Sequence, residues 1–309
     1  MRILLTGASS FTGMWFAEGL AAGGHSVVAV ARAPAYADAL RQARMDRVAA
    51  VAQVVTDAPF GTPAFFAAMR DHGPFDVLGL HGAEVGDYKS PSYDLGAAVA
   101  ANTLNADAVF AAAKAQGAAR VVLTGTVFEP GEGKGTQPLV SFSPYGTSKA
   151  KTAEVMRPAV EGAGLAYAKF VIPNPFGPWE ERRFQRLVMT RWSKGEGVHI
   201  DQALYVRDNV PVDLMALAYR ATLEGAFGGY CAPSWYAEPV GAFFERMARE
   251  VRGRTGWACP LTLADAQVFV EPEARTNRTA LDVAALGWSE AGFWDAYVDH
   301  YQNPPPVIG

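Results

Sequence analysis

Thr6-Gly7-Ala8-Ser9-Ser10-Phe11-Thr12-Gly13 follows directly on the apolar run Ile3-Leu4-Leu5. A glycine-bearing turn therefore stands between a first strand and a first helix. Such a turn aims unpaired N–H groups and the positive end of the helix dipole at one point, where a dinucleotide pyrophosphate binds. Gly7 supplies an unusual backbone angle, and Gly13 lets helix and strand approach closely. Ser9, Ser10, Phe11 and Thr12 complete the loop on this reading. Ser10 stands where the usual pattern has its middle glycine, so an ordinary strand–helix turn rich in small residues is the competing reading.

Outward from this turn, short apolar runs alternate with Ala-rich helical stretches. The runs are Ile3 to Leu5, Val27 to Ala31, Val51 to Val55, Val77 to Leu80, Arg120 to Thr124 and Ala166 to Ile172. Strands alternating with helices imply an α/β fold with a parallel, doubly wound sheet. Trp15, Phe16 and Leu20 give the first helix its apolar face before Gly23-Gly24 ends it. Leu95 to Gly117 reads as one long helix. From Pro173 the texture changes to prolines, tryptophans and arginines. Residues 1–172 are thus expected to form the dinucleotide-binding domain, and 173–309 a smaller C-terminal substrate-binding region. Asp201 to Val212 reads as extended chain, part of a segment near 201–235 that returns to the first domain, and Glu238 to Arg252 and Glu290 to His300 read as helices.

Composition narrows the function. The 309 residues are 50% hydrophobic with a net charge of -4, which describes a globular chain with ample core material. Basic residues are scattered and outnumbered, against a nucleic-acid surface. No apolar leader and no uninterrupted apolar run of membrane-spanning length is read, so a cytoplasmic protein is expected. Cys231 and Cys259 lie far apart, and His25, His72, His81, His199 and His300 are isolated, so neither a disulfide framework nor a metal site is expected.

The second chemical constellation is Tyr145-Gly146-Thr147-Ser148-Lys149, preceded by Ser143-Pro144. Ser143 suits an N-cap and Pro144 a first helical position, so Tyr145 and Lys149 fall one turn apart on one helix face. An ammonium near a tyrosine favours the phenolate, which can then exchange a proton with a substrate oxygen while a hydride moves on carbon. Thr124 ends a strand at the sheet's carboxyl edge, where ligands of such folds bind. The bland alternative has Tyr145 packed at a helix start and Lys149 in solvent.

With these motifs in place the chain resembles an extended short-chain dehydrogenase/reductase of the nucleotide-sugar epimerase/dehydratase family, and the fold class implied is Rossmann-like. The resemblance runs from the glycine turn through Thr124, Tyr145/Lys149 and Asn174-Pro175-Phe176-Gly177-Pro178 to Arg207-Asp208 and Leu286-Gly287-Trp288. It implies that Thr124 orients the substrate oxygen, that Tyr145 is the acid/base, and that Lys149 holds the nicotinamide ribose. Asn174 and Arg207 would contact the substrate diphosphate, and Thr126 would join Thr124 in the substrate site. Asn102 matches a helix asparagine behind the site. His81-Gly82-Ala83 and Pro173 would line the cofactor, and Asp57 matches an adenine-contacting aspartate. Relatives often form homodimers through helices corresponding to Leu95–Gly117 and Tyr145–Gly162.

Departures from the family pattern refine the expectation. Ala31-Arg32 stands where NAD-binding members carry an acid, and an arginine suits a 2′-phosphate, so NADP is favoured with NAD the second choice; Arg32 as an ordinary loop charge is the alternative. Gly125-Thr126 replaces the acidic pair of dehydratases, which argues against dehydration. Glu129 is off-pattern, either an additional base or, more commonly for such a position, a solvated loop acid. Arg182, Arg183 and Arg186 either read phosphate or form a solvated helix face. The expected activity is an NAD(P)-dependent reductase of a nucleotide-activated keto-sugar, with a 4-epimerase, a reductase of a non-sugar carbonyl and a non-catalytic cofactor sensor as alternatives.

Overall fold

A computed structural model describes residues 1–33, 35–84, 93–141 and 143–307. The alternation of apolar runs and helical stretches gives β1 (Arg2–Thr6), α1 (Phe11–Ala22), β2 (Ser26–Val30), α2 (Ala39–Val51), β3 (Gln53–Val55), α3 (Pro63–His72), β4 (Val77–Leu80), α4 (Leu95–Asn102), α5 (Ala106–Ala115) and β5 (Arg120–Thr126). Next come β6 (Lys134–Gly135), α6 (Pro144–Gly162), β7 (Ala166–Ile172), β8 (Asn174–Phe176), α7 (Phe184–Trp192), β9 (Val198–Ile200), β10 (Val206–Pro211), α8 (Val212–Glu224) and β11 (Tyr230–Cys231). The chain closes with β12 (Pro233–Ser234), β13 (Tyr236–Pro239), α9 (Val240–Thr255), β14 (Leu261–Leu263), β15 (Ala274–Thr276), β16 (Thr279–Ala280) and α10 (Glu290–Gln302).

Seven strands form one parallel sheet in the order β11-β7-β5-β4-β1-β2-β3. Successive residues of each strand face opposite layers of helices, and both layers are apolar, which is why the strands read as unbroken hydrophobic runs. Ile3, Leu5, Val122 and Phe170 pack under Phe16 and Leu20 of α1 and Leu214 and Tyr219 of α8. Leu4, Leu78, Val121 and Leu123 pack under Phe65, Phe110, Met156 and Val160 of α3, α5 and α6. Strand order reverses between β1 and β4, and there the chain leaves on opposite faces and opens a crevice. Register fixes its depth, because Thr6 lies beside Leu80 and Leu80 beside Leu123.

A second, smaller sheet runs β13-β10-β15-β6 with β8 added on β10. Phe176, Trp192, Phe243, Trp294 and Tyr297 form its separate core with α7, α9 and α10.

Four expectations change. Leu95–Gly117 is two helices, because Asn105 takes the left-handed conformation (φ 52°) and donates its Nδ2 to the Gly61 carbonyl at 2.9 Å. By length and composition alone Leu95–Ala115 is apolar enough to cross a membrane, but Thr103–Asn105 interrupts it, and Ala106, Val109, Phe110 and Ala113 are buried. The extended part of Asp201–Val212 belongs to the second sheet as β10, and it is the helix after it, α8, that returns to pack on α1. Tyr236–Pro239 is a strand rather than the start of a helix, and Val51 closes α2, which leaves β3 only Gln53–Val55.

Candidate active site

The crevice at the carboxyl edge of the large sheet widens into a cleft of about 1210 Å³ between the two lobes. Thr6 to Ser10 and Thr12 form its floor. Gly7 has φ 76°, and a Cβ there would lie 2.5 Å from the Gly82 nitrogen; a Cβ on Gly13 would lie 2.1 Å from the Gly7 carbonyl oxygen. Both glycines are therefore fixed by backbone crowding. Ser10 is under no such constraint (φ -77°): it is the N-cap of α1, accepting the Gly13 N–H at 3.0 Å and donating to the Gly7 carbonyl at 2.9 Å. This is how the loop dispenses with its middle glycine. The Phe11 ring is buried beneath the loop, 5.9 Å from the Arg183 guanidinium carbon. The cradle, with the open N-terminus of α1 facing it, fits a dinucleotide pyrophosphate.

His81, Gly82 and Ala83 line the cleft after β4. His81 Nε2 lies 3.0 Å from both the Ser10 and Thr12 hydroxyls, and burial, with the charge of Lys149, pushes its imidazole down to about 3. His81 is thus a neutral brace under the loop rather than an acid or base. Asn102 is buried and clamps the backbone of Glu84 from both sides, accepting its N–H and donating to its carbonyl. Glu84 in turn holds the Arg32 guanidinium. Both Arg32 and Glu84 line the cleft, so the expected reader of a 2′-phosphate already has a counter-ion. Asp57 is exposed with φ 55° and is not part of the cleft wall, which the following Ala58, Pro59 and Phe60 form instead.

Opposite the loop, Ser143 caps α6 by accepting the Gly146 N–H at 3.3 Å, with Pro144 in the first turn. Tyr145 and Lys149 follow on consecutive turns, and both line the cleft with Thr124, Thr126, Pro173 and Asn174. Lys149 is 7% exposed, and burial pushes its ammonium down to about 8, with Glu129 opposing the shift and Lys169 adding to it. Lys149 is therefore not the solvated charge of the bland alternative.

Two expectations for charged residues are corrected. Arg207 does not reach the cleft; it pairs with Glu271 at 3.0 Å, donates to the Val206 and Glu273 carbonyls and lies 4.4 Å from the Tyr205 ring. Glu129 is neither solvated nor available as a base: it is 1% exposed and paired with Lys169 at 2.6 Å. Arg182, Arg183 and Arg186 all line the cleft rim, Arg183 bound to Glu181 at 2.8 Å. Missed from the sequence were Glu84, whose partner lies 52 residues away, and Lys169, whose place inside an otherwise apolar strand was the available signal. Among the described residues no cluster of His, Cys, Asp or Glu could hold a metal ion.

Fold and cleft together define an enzyme built around a nicotinamide dinucleotide. The family model of the NAD dependent epimerase/dehydratase family matches residues 3–224, and the chain belongs to that family. Among solved structures it is similar to UDP-glucuronic acid 4-epimerase from Bacillus cereus in complex with UDP-glucuronic acid and NAD (16% identity, 98% of this chain and 99% of that one, TM-score 0.70). It is also similar to UDP-glucose 4-epimerase from Thermotoga maritima with UDP-glucose (16%, 98% and 99%, 0.69) and to that of Thermus thermophilus in complex with NAD (19%, 99% and 100%, 0.68). No curated protein matches the sequence.

Proposed function

We propose that the chain is a nucleotide-sugar 4-epimerase that uses NAD. The observation that carries this reading is the convergence of Thr124, Tyr145, Lys149 and Asn174 on one cleft with the Gly7–Thr12 loop. The similar 4-epimerase structures favour epimerisation over the keto-sugar reduction that the sequence suggested first. The argument for a reductase leaned on NADP, and the pairing of Arg32 with Glu84 weakens it. Dehydration is disfavoured because Gly125 and Thr126 carry no acid and Glu129 is committed to Lys169 and the Thr126 N–H.

A bound nicotinamide would take up hydride from the sugar carbon and give it back. Tyr145, as phenolate, removes the hydroxyl proton during oxidation and returns one to the ketone oxygen during reduction. Thr124 orients that oxygen. Lys149 favours the phenolate by its charge. Asn174 and the rim arginines Arg182, Arg183 and Arg186 offer donors for the diphosphate. Incubation with UDP-hexoses and UDP-uronic acids, followed by NMR of the sugar, should show interconversion of C4 epimers with no net change in NADH absorbance. Net consumption of reduced cofactor with a 4-keto sugar would restore the reductase reading instead.

A 2′-phosphate entering beside Arg32 meets the Glu84 carboxylate and must displace it, which is the basis for assigning NAD. In fluorescence titrations NADH should bind tighter than NADPH, and Glu84→Gln should narrow that gap about tenfold, the scale of one surface-accessible charge contact; equal affinities in the parent protein would reverse the assignment.

The chain is further read as a homodimer. Supporting this, Val155 of α6 is exposed and lines a hollow of about 590 Å³ together with Pro158 and Ala159 of the same helix, Thr103 and Asn105 of the turn before α5, and Ala106, Asp107 and Ala108 of α5. Light scattering should give twice the 33.0 kDa chain mass, and Val155→Asp should halve it.

A further inference from the structure

Gly125 is the first sign of an arrangement under the catalytic strand. A Cβ at this position would lie 2.5 Å from Glu129 Oε1 and 2.7 Å from Lys169 Cε, so a glycine is what makes room for this pair. Glu129 Oε1 accepts the Thr126 N–H at 2.8 Å, and its Oε2 receives Lys169 Nζ at 2.6 Å. Lys169 Nζ also reaches Glu132 Oε1 at 2.5 Å, and Glu132 Oε2 accepts the Tyr230 hydroxyl at 2.8 Å. Two carboxylates share one ammonium, and the buried Arg275 guanidinium, bonded to the Glu129 and Glu132 carbonyls, lies beside them. A charge this deep persists only with a partner. The loop that carries Glu129 abuts the first turn of α6, where a Cβ on Gly146 would lie 2.2 Å from the Phe128 carbonyl oxygen. Lys149 stands one turn further on, itself buried.

We propose that Glu129 is a positioning residue for Tyr145 and Lys149: held by Lys169 and the Thr126 N–H, it is the counter-charge that keeps the buried Lys149 ammonium protonated and beneath the tyrosine. The inference rests on the reading of Tyr145 as acid/base given above. The same carboxylate ties down the end of β5, where Thr124 and Thr126 face the cleft. Electrostatics agree, since Glu129 opposes the downward push of burial on Lys149 while Lys169 adds to it. The other groups facing Lys149 do not supply this charge. His81, from the loop after β4, is neutral, and Tyr145 lies on the same helix. Helix α4 has no charged residue, Asp107 and Lys114 of α5 are exposed, and Arg120 of β5 lies at the strand's far end against the Leu223 carbonyl.

Glu129→Gln keeps the shape and the acceptor for the Thr126 N–H and removes the charge. Tyr145 ionisation is read as the tyrosinate absorbance difference between each NAD-loaded protein and its Tyr145→Phe counterpart, without substrate. The titration should move up by about one pH unit in Glu129→Gln, the lower end of what a nearby opposite charge does, and Glu129→Asp should move it back. In turnover, kcat near neutral pH should fall about tenfold and recover toward alkaline pH, with KM little changed. If Glu129→Gln fails to fold, Lys169→Met is read instead: it removes the cation that works against Lys149 and must displace the Tyr145 titration in the opposite direction. An unmoved Tyr145 titration, or a kcat loss equal at every pH, overturns the proposal. A displaced titration in a protein inactive on every nucleotide sugar upholds it while sinking the epimerase reading.

Discussion

At the scale of single residues, the acid/base role proposed for Tyr145 and the supporting one proposed for Lys149 can be separated by mutation. Tyr145→Phe should lower turnover by about 10²–10⁴-fold, the scale of a lost general acid/base, while NADH affinity by fluorescence titration stays within about twofold. Lys149→Met should also lower turnover, yet leave the cofactor-free protein as stable or more so, because a buried ammonium costs free energy that a methionine does not. The sign follows from its titration: the folded-state value is about 8 against 10.5 for an unperturbed lysine. Between these pH values the unfolded chain binds the extra proton, so the parent protein gains stability as pH rises from about 8 to 10.5, and Lys149→Met lacks that gain. Denaturation midpoints across pH 7–10.5 read both slopes. The place of Tyr145, Lys149, Thr124 and the glycine loop on one cleft was legible in sequence because local signals set it: a capping serine, a proline at the first turn, a strand end. Glu129 and Arg207 were misjudged because their partners, Lys169 and Glu271, lie 40 and 64 residues away, and nothing in a local window tells a buried ion pair from a solvated charge or a ligand reader.

At the scale of elements, periodicity found every strand of the large sheet except the two-residue β11, since strands buried on both faces announce themselves as apolar runs. It failed where helix composition is uniform. Leu95–Ala115 is alanine-rich throughout, so no change of pattern marks the break at Asn105; the cause is tertiary, the bond from Asn105 Nδ2 to the Gly61 carbonyl. Asn105→Ala should cost about 1–2 kcal/mol, from a left-handed alanine and the lost bond, whereas Asn105→Gly should recover the backbone part of that cost; urea denaturation distinguishes the two. Gly146 offers the counterpart on α6. Its Cβ position lies against the backbone oxygen of Phe128, which cannot rotate away. Gly146→Ala should therefore shift the helix start, costing about 1–3 kcal/mol and lowering kcat more than KM, since small displacements of a catalytic group are costly.

For the whole molecule, the decisive contact is where the chain crosses between lobes at Gly177–Glu181. Arg44 donates from Nε and Nη2 to the Trp179 carbonyl at 3.0 and 2.7 Å, Trp15 Nε1 donates to the Pro178 carbonyl at 3.0 Å, and the Arg47 guanidinium carbon lies 4.9 Å from the Trp179 ring. From the C-terminal helix, His300 Nε2 accepts the Trp179 N–H at 3.2 Å, and burial pushes this imidazole down to about 4. Next to it Glu180 is fully buried, and its carboxyl is pushed up to about 8 by burial, against the pull of Arg183. These two groups tilt stability in opposite directions. Below pH 4.5 Glu180 is neutral folded or unfolded; above it the unfolded chain releases a proton that the folded one keeps, so stability falls as pH rises toward 8. His300 behaves the other way, its contribution present above 6.5 and lost as pH falls toward 4, when protonation would also end its acceptance of the Trp179 N–H. Between about 4.5 and 6.5 the slopes offset each other; above 6.5 only the Glu180 slope remains. The domain junction should therefore be firmest in mildly acid solution and weaken by on the order of 1–2 kcal/mol from pH 6.5 to 8, at about 1.36 kcal/mol per proton per unit. Calorimetric melting of Glu180→Gln should lack that decline and lay bare a loss below pH 6.5 that Glu180 offsets in the parent, and His300→Gln, which keeps an acceptor, should decline continuously from about pH 4.5 to 8. A parent protein whose melting temperature is flat from pH 6.5 to 8 would mean that Glu180 ionises freely in the folded state.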